Sequence, residues 1–324
     1  RLTDVTGVQT CALPICSTND LRRETLPDFI KNAIAETRYL GEDRFRRLPD
    51  PELYPKETPG DLNVNDPGYE AVVSGQRVEL ARKIEEAARS QSDRIISVTS
   101  SYSDTYYESV KLNSNGFSGS STGTYFQMGA SATVKDPNGG RPEDYCYVTV
   151  RQFGDLLDPE AVGREAVERA LAKIGQAKIA TGRYPILIEN RVAGMLVGRL
   201  LYPMGARAIQ QKQSCLQDRL GEKIAASALT LTDDPLMPGG LNSRYYDGEG
   251  LSMGKRVLIE KGVLKSYLVD NYYGRKLELT PNSGSVSNLT FAQGKSSLED
   301  MIKRMKKGVL INGYIGGTMN SLTG

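Results

Sequence analysis

Apolar residues first recur at helical spacing in "LRRETLPDFIKNAIAETRYL", Leu21 to Leu40. Leu26, Phe29, Ile30, Ala33, Ile34 and Thr37 fall on one face there, which predicts an amphipathic helix. A span with five prolines, "RRLPDPELYPKETPGDLNVNDPG", reads as extended loop. A second helix is predicted from about Ser74 to Ser90, where Val78, Ala81, Ile84, Glu85 and Ala88 give a mixed face. Between Arg94 and Asp155 the chain becomes rich in Ser, Thr, Tyr and Val and is punctuated by "NSNG" and "DPNGG" turns. That pattern predicts an antiparallel meander. Its tyrosines, Tyr102, Tyr106, Tyr107, Tyr125, Tyr145 and Tyr147, are read as cross-strand packing rather than a ligand platform.

"DPEAVGREAVERALAKIG" carries helix start and stop signals: Asp158 as N-cap, Pro159 at the first position, acidic residues in the first turn and Gly175 at the end. "TGRYPILIEN" is a strand that opens a second domain. From Ile186 to Ala225 an apolar strand runs into an apolar helix and then a polar segment. "KRVLIEKGVLKSYLVDN" alternates around Glu260, Lys261 and Gly262 and predicts a hairpin. "SSLEDMIKRMKKG" predicts a helix capped by Ser297 and Gly308, and "VLINGYIGG" a closing strand. Helices and strands come in mixed runs rather than in strict alternation, so the expected class is α+β with two mixed domains, 17–178 and 179–324. Residues 1–16, "RLTDVTGVQTCALPIC", have neither amphipathic period nor turn logic and read as an adapter-derived artefact outside the fold.

The 324 residues include 41 Lys plus Arg against 39 Asp plus Glu, so no global field favours nucleic acid or a membrane surface as partner. No apolar run reaches the roughly 20 residues of a bilayer span. The longest candidate, Ile186 to Tyr202, is broken by Glu189, Asn190, Arg191 and Arg199. With the first sixteen residues set aside, Cys146 and Cys215 remain. Two separated cysteines are no disulfide framework, so a reducing, cytoplasmic compartment is expected. Lys303, Arg304, Lys306 and Lys307 crowd one helix end, where they complement its dipole without a nucleic acid.

The chain contains no histidine, which argues against a catalytic zinc site and against a histidine-activated nucleophile. Asp233 with Asp234, and Asp247 with Glu249, are candidates for a carboxylate-only metal site, although both stretches are also good turn sequences. The strand-like segments "GLSMGKRVLIE" and "VSNLTFAQG" could expose an edge that takes an unfolded peptide as an added strand.

"RLGEKIAASALTLTDDP", "DGEG", "KRVLIEKGVLKSYLVDNYYGRKLEL", "NLTFAQGKSSLEDMI" and "GYIGGTMNSLTG" occur in an order and spacing that resemble the TldD/PmbA family. "LPDPELYP" and "SYSDTYYESVKLNSNGF" resemble that family's middle domain. The resemblance spans about Leu21 to Gly324. It implies that members begin with a domain before Leu21 and continue past "NSLTG" with strands that complete the C-terminal sheet.

It also implies a zinc metallopeptidase whose catalytic branch carries an H-E-x-x-x-H helix and a later cysteine. The ligand histidines would fall near Val197 and Tyr202 and the general-base glutamate near Gly198, so the site is degenerate here. Such chains resemble the PmbA (TldE) branch, the non-catalytic partner of a zinc-bearing subunit. No cofactor is expected in this chain; zinc is expected in a histidine-bearing TldD-like paralogue or second copy forming a dimer with it, with an unfolded peptide as substrate. Asp247, Glu249, Gly250, Gly316, Gly317 and Asn320 are the candidate peptide-binding positions, the last three in a terminal strand. Two alternatives stay open: a self-sufficient metallopeptidase with another metal site, and a non-proteolytic peptide-binding regulator.

Overall fold

The computed structural model describes residues 16–39, 41, 43–57, 60–316 and 318–323. The segment 1–16, apart from Cys16, and Gly317 therefore lie outside the described residues. The chain divides into two compact units, Arg1–Arg47 and Leu48–Gly324. In the first, α1 (Leu26–Thr37) starts with Pro27 in its first turn and buries none of its residues. Leu26, Phe29 and Ala33 are half-buried, whereas Ile30 and Ile34 are exposed. The helix is shorter than the Leu21–Leu40 pattern because the residues before Thr25 form turns.

The second unit opens with loop and two short 3-10 turns, then α2 (Ser74–Arg89). β1 (Ile95–Leu112), β2 (Ser118–Val134) and β3 (Glu143–Val150) make an antiparallel sheet in that order, turning at Asn113–Gly116 and Asp136–Gly140. β2 lies in the middle. Alternate residues Met128, Ala130, Ala132 and Val134 are fully buried on one face, as a period of two requires. That face is covered by α2, through Ile84 and Ala88, and by α3 (Pro159–Leu171), through Val162, Ala166, Val167 and Ala170. Asp158 caps α3 as its residue type predicts, its carboxylate accepting from the N–H groups of Glu160 and Ala161. Gly163 lets α3 approach α2 closely: a β-carbon there would lie 2.2 Å from the Ile84 carbonyl oxygen.

Beyond α3 come β4 (Ile186–Ile188), α4 (Asn190–Met204) and α5 (Ala206–Gln210). They lead into β5 (Leu231–Asp233), β6 (Arg256–Glu260), β7 (Val263–Leu264), α6 (Asn271–Leu277), β8 (Leu289–Phe291), α7 (Leu298–Met305) and β9 (Val309–Ile311). A four-stranded antiparallel sheet runs β7-β6-β5-β8, and β4 pairs with β9 in parallel. The β6–β7 hairpin closes through Lys261 (φ 47°) and Gly262 (φ 83°), the left-handed pair that a two-residue turn needs. Val197, Met204, Leu231, Leu258, Ile259, Leu264 and Leu268 join α4 and this sheet in one core. The architecture is α+β throughout.

Three expectations change. α7 ends at Met305 with Lys306 as its C-cap, so Gly308 is not the cap. The closing strand is only three residues long, because only Val309 to Ile311 find partners on β4; Gly316 and Asn320 lie beyond it and not in a strand. "GLSMGKRVLIE" offers no free edge, since its strand, β6, sits between β5 and β7.

Candidate functional site

The helix that resembles a metallopeptidase's ligand helix is held at its N-terminal end by charge. Arg191 pairs with Asp144 at 3.0 Å and donates to the Tyr145 carbonyl of β3, while Arg169 of α3 pairs at 2.7 Å with Glu189, just before the helix. Arg169 also reaches Glu165, and its pKa is raised, first by the bond to Glu189. At the other end Pro203 sits inside the last turn, and the Ser214 hydroxyl donates to its carbonyl oxygen.

Between these anchors the three positions where the resemblance puts a catalytic constellation point different ways. Val197 is buried in the core shared with Met204, Leu231 and Leu258. Gly198 is exposed, and a β-carbon on it would meet nothing within 4 Å. Tyr202 is half exposed, and its hydroxyl lies 3.4 Å from the Gln213 amide oxygen. Gly194, Gly198 and Tyr202 recur at four-residue intervals, so they form one open stripe on the outer face.

This donor set does not fit zinc. A valine side chain directed into a hydrocarbon core, a glycine and a tyrosine offer no imidazole, thiolate or carboxylate. Among the described residues no group of three Asp, Glu or Cys is placed to hold a metal ion. Cys146 is buried beside Glu165, and burial pushes its thiol up to about 11, with the Glu165 charge adding. The carboxylates considered from sequence have structural partners instead. Asp233, fully buried, accepts from Arg256 and from both the N–H and the hydroxyl of Ser287, and Asp234 pairs with Lys255.

Asp247, Glu249 and Gly250 form a tight loop. The Asp247 carboxylate accepts from the N–H groups of Glu249 and Leu251, and Gly250 has φ 90° with the Phe117 ring 3.2 Å from where a β-carbon would be. Glu249 accepts from the Asn271 N–H at the start of α6. Burial raises its pKa; the Asn271 bond opposes this, and Asp247 and Asp270 add to it. Gly316 and Asn320 lie elsewhere, exposed, in the segment whose Ser321 carbonyl accepts from the Cys215 N–H. The five described candidate positions are therefore not one site.

Two further features bear on the site. Among the described residues β8 is the edge of its sheet, with Phe291 43% exposed, so of the two segments expected to offer an edge "VSNLTFAQG" is the one that does. The other is a cavity of about 380 Å³ lined by Tyr107, Tyr125, Arg151, Ser243, Arg244 and Tyr246 among others. Arg151 is 2% exposed there, and no local pattern in "YVTVRQF" marks it as different from a surface arginine.

Comparison with known proteins places these elements in a family. Residues 68–174 match the PmbA/TldA metallopeptidase central domain, and residues 181–324 match the PmbA/TldA metallopeptidase C-terminal domain. The metalloprotease PmbA of Escherichia coli is 30% identical over 312 residues, covering 95% of this chain and 68% of its own length. A crystal structure described as a candidate modulator of DNA gyrase, from Bacteroides thetaiotaomicron, superposes with TM-score 0.92 at 36% identity, covering 95% of this chain and 70% of that one. TldE from Thermococcus kodakarensis shares the fold at TM-score 0.74 and 24% identity, covering 91% and 68%. The chain belongs to the PmbA/TldD metallopeptidase family. Among its described residues no helix is long and apolar enough to cross a membrane.

Proposed function

We propose that this chain is the non-catalytic, peptide-binding subunit of a PmbA/TldD-type zinc metallopeptidase complex. The observation that carries the reading is that the chain contains no histidine, and it is supported by α4, where a core valine, an open glycine and an exposed tyrosine occupy the positions at which the family resemblance puts two histidines and a glutamate. Zinc and the hydrolytic step then belong to a histidine-bearing paralogue, and this chain contributes peptide contacts. The β8 edge supports that role, because an extended peptide can add there through main-chain hydrogen bonds alone. A reducing, cytoplasmic setting is consistent with Cys146 and Cys215 both being free thiols.

The test is zinc content by mass spectrometry together with cleavage of an unfolded peptide, for the protein alone and after mixing with its histidine-bearing homologue. Metal and activity are expected only in the mixture. Stoichiometric zinc with cleavage by the protein alone would overturn the assignment.

A further inference from the structure

We propose that the cavity between the Tyr107–Tyr125 face of the β1–β2 pair and the Asn242–Tyr246 segment binds a carboxylate, supplied by the C-terminus of a peptide. The inference rests on the peptide-binding reading and adds to it a site on this chain that recognises one end of the ligand.

Charge carries the argument. Arg151 is 2% exposed, yet among the described residues its hydrogen-bond partners are the Tyr107 hydroxyl and two carbonyl oxygens, and no carboxylate pairs with it. Its guanidinium donates to the Thr124 carbonyl at 3.2 Å and the Leu241 carbonyl at 2.5 Å, lies 3.8 Å over the Tyr125 ring, and leaves Nε with no acceptor. Carbonyl dipoles and a ring face soften a buried cation without neutralising it. Arg244, also in the lining, donates from Nη2 to the Ser285 hydroxyl and the Val286 carbonyl, and it too has no acidic partner among the described residues. Against two guanidinium groups the lining holds one carboxylate, Asp61, which is exposed and accepts from the Asn63 N–H. A buried hydroxyl on Tyr246, without a partner, adds a further donor.

An anion is what this set lacks. Its volume of about 380 Å³ admits the last residue or two of a peptide rather than a folded chain. The aromatic walls, Tyr107 and Tyr125 stacked at 5.9 Å, suit a side chain beside the carboxylate. A carboxylate matches the planar guanidinium donors.

The probe is a short, unstructured, N-terminally fluorescein-labelled peptide without Asp or Glu, made as the free acid and as the C-terminal amide, and titrated with the protein by anisotropy. The free acid is expected to bind about tenfold tighter than the amide, or ~1.4 kcal/mol at 25 °C. Arg151→Met and Arg244→Gln should each bring the acid down to the amide's affinity. Arg244→Gln carries the test if circular dichroism shows that Arg151→Met does not fold. Equal binding of acid and amide, or a preference that survives Arg244→Gln, overturns the inference while leaving the non-catalytic reading intact. Displacement of the acid peptide by acetate supports a carboxylate contact. Binding of labelled acetate-like acids with no acid-over-amide preference assigns the cavity to small metabolites and overturns the peptide terminus as its source.

Discussion

Replacing Asp233 with alanine tests what holds the β8 edge in place. The carboxylate is completely buried and receives the Ser287 N–H at 2.7 Å, the Ser287 hydroxyl at 2.6 Å and Arg256 at 3.1 Å, so it ties β5 to β6 and to the loop entering β8. Removing one member of a buried ion pair costs about 3–5 kcal/mol, because the other is left charged and dry. Arg256 is itself only 12% exposed, and burial lowers its pKa. The carbonyls of Asn282, Ser283 and Ser285 still accept from it, which places the expected loss near the lower end, ~3 kcal/mol. Urea denaturation of Asp233→Ala, Arg256→Met and the double variant measures this. The double variant should be less destabilised than the sum of the singles by at least ~1 kcal/mol. A loss below ~1 kcal/mol for Asp233→Ala, or strictly additive singles, would refute the idea that this pair fastens the sheet.

Three further outcomes are expected. Glu249→Gln should gain stability over the wild type near pH 8 and lose that advantage near pH 4: the raised pKa means the folded chain holds the proton more tightly, so the penalty is absent below the unfolded pKa and complete above the folded one. Thermal melts at the two pH values check the sign. Gly163→Ala should lower the melting temperature, since a β-carbon 2.2 Å from the Ile84 carbonyl oxygen overpacks the α2–α3 contact by ~1–3 kcal/mol, more than the helix propensity of alanine returns; Gly194→Ala, with nothing within 4 Å, should raise it. Iodoacetamide at pH 8 should leave Cys146 unmodified until denaturant is added, given its burial and a thiol pKa of about 11; labelling in the native state would contradict the buried placement.

Local chemistry was legible wherever a residue's own backbone needs decide the structure. "NSNG", "DPNGG", Asp158-Pro159, Lys261-Gly262 and Ser297 mark turns and caps that the fold contains at those places. What failed to show was partner choice. Strand-like residues at 250–260 and at 286–294 look alike in sequence, and only pairing makes β6 internal and β8 an edge. The long apolar run through α4 hid which of Val197, Gly198 and Tyr202 faces inward, because apart from Arg199 the positions around them are apolar or small. Arg151 was invisible for a similar reason: charge normally signals surface, and its burial arises from contacts with Thr124, Tyr125 and Leu241. Tyr107 and Tyr125 do stack across strands, as their pattern suggested, while also walling the cavity.

Because α4 is fixed by Arg191 at one end and by Val197 and Met204 along its inner side, its outer stripe of Gly194, Gly198 and Tyr202 contributes little to folding. Substitutions along that stripe therefore alter what the helix presents without altering where it sits. The outward half of the helix is in this way free to vary, whereas a change at Val197 would reach into the core it shares with Leu231 and Leu258.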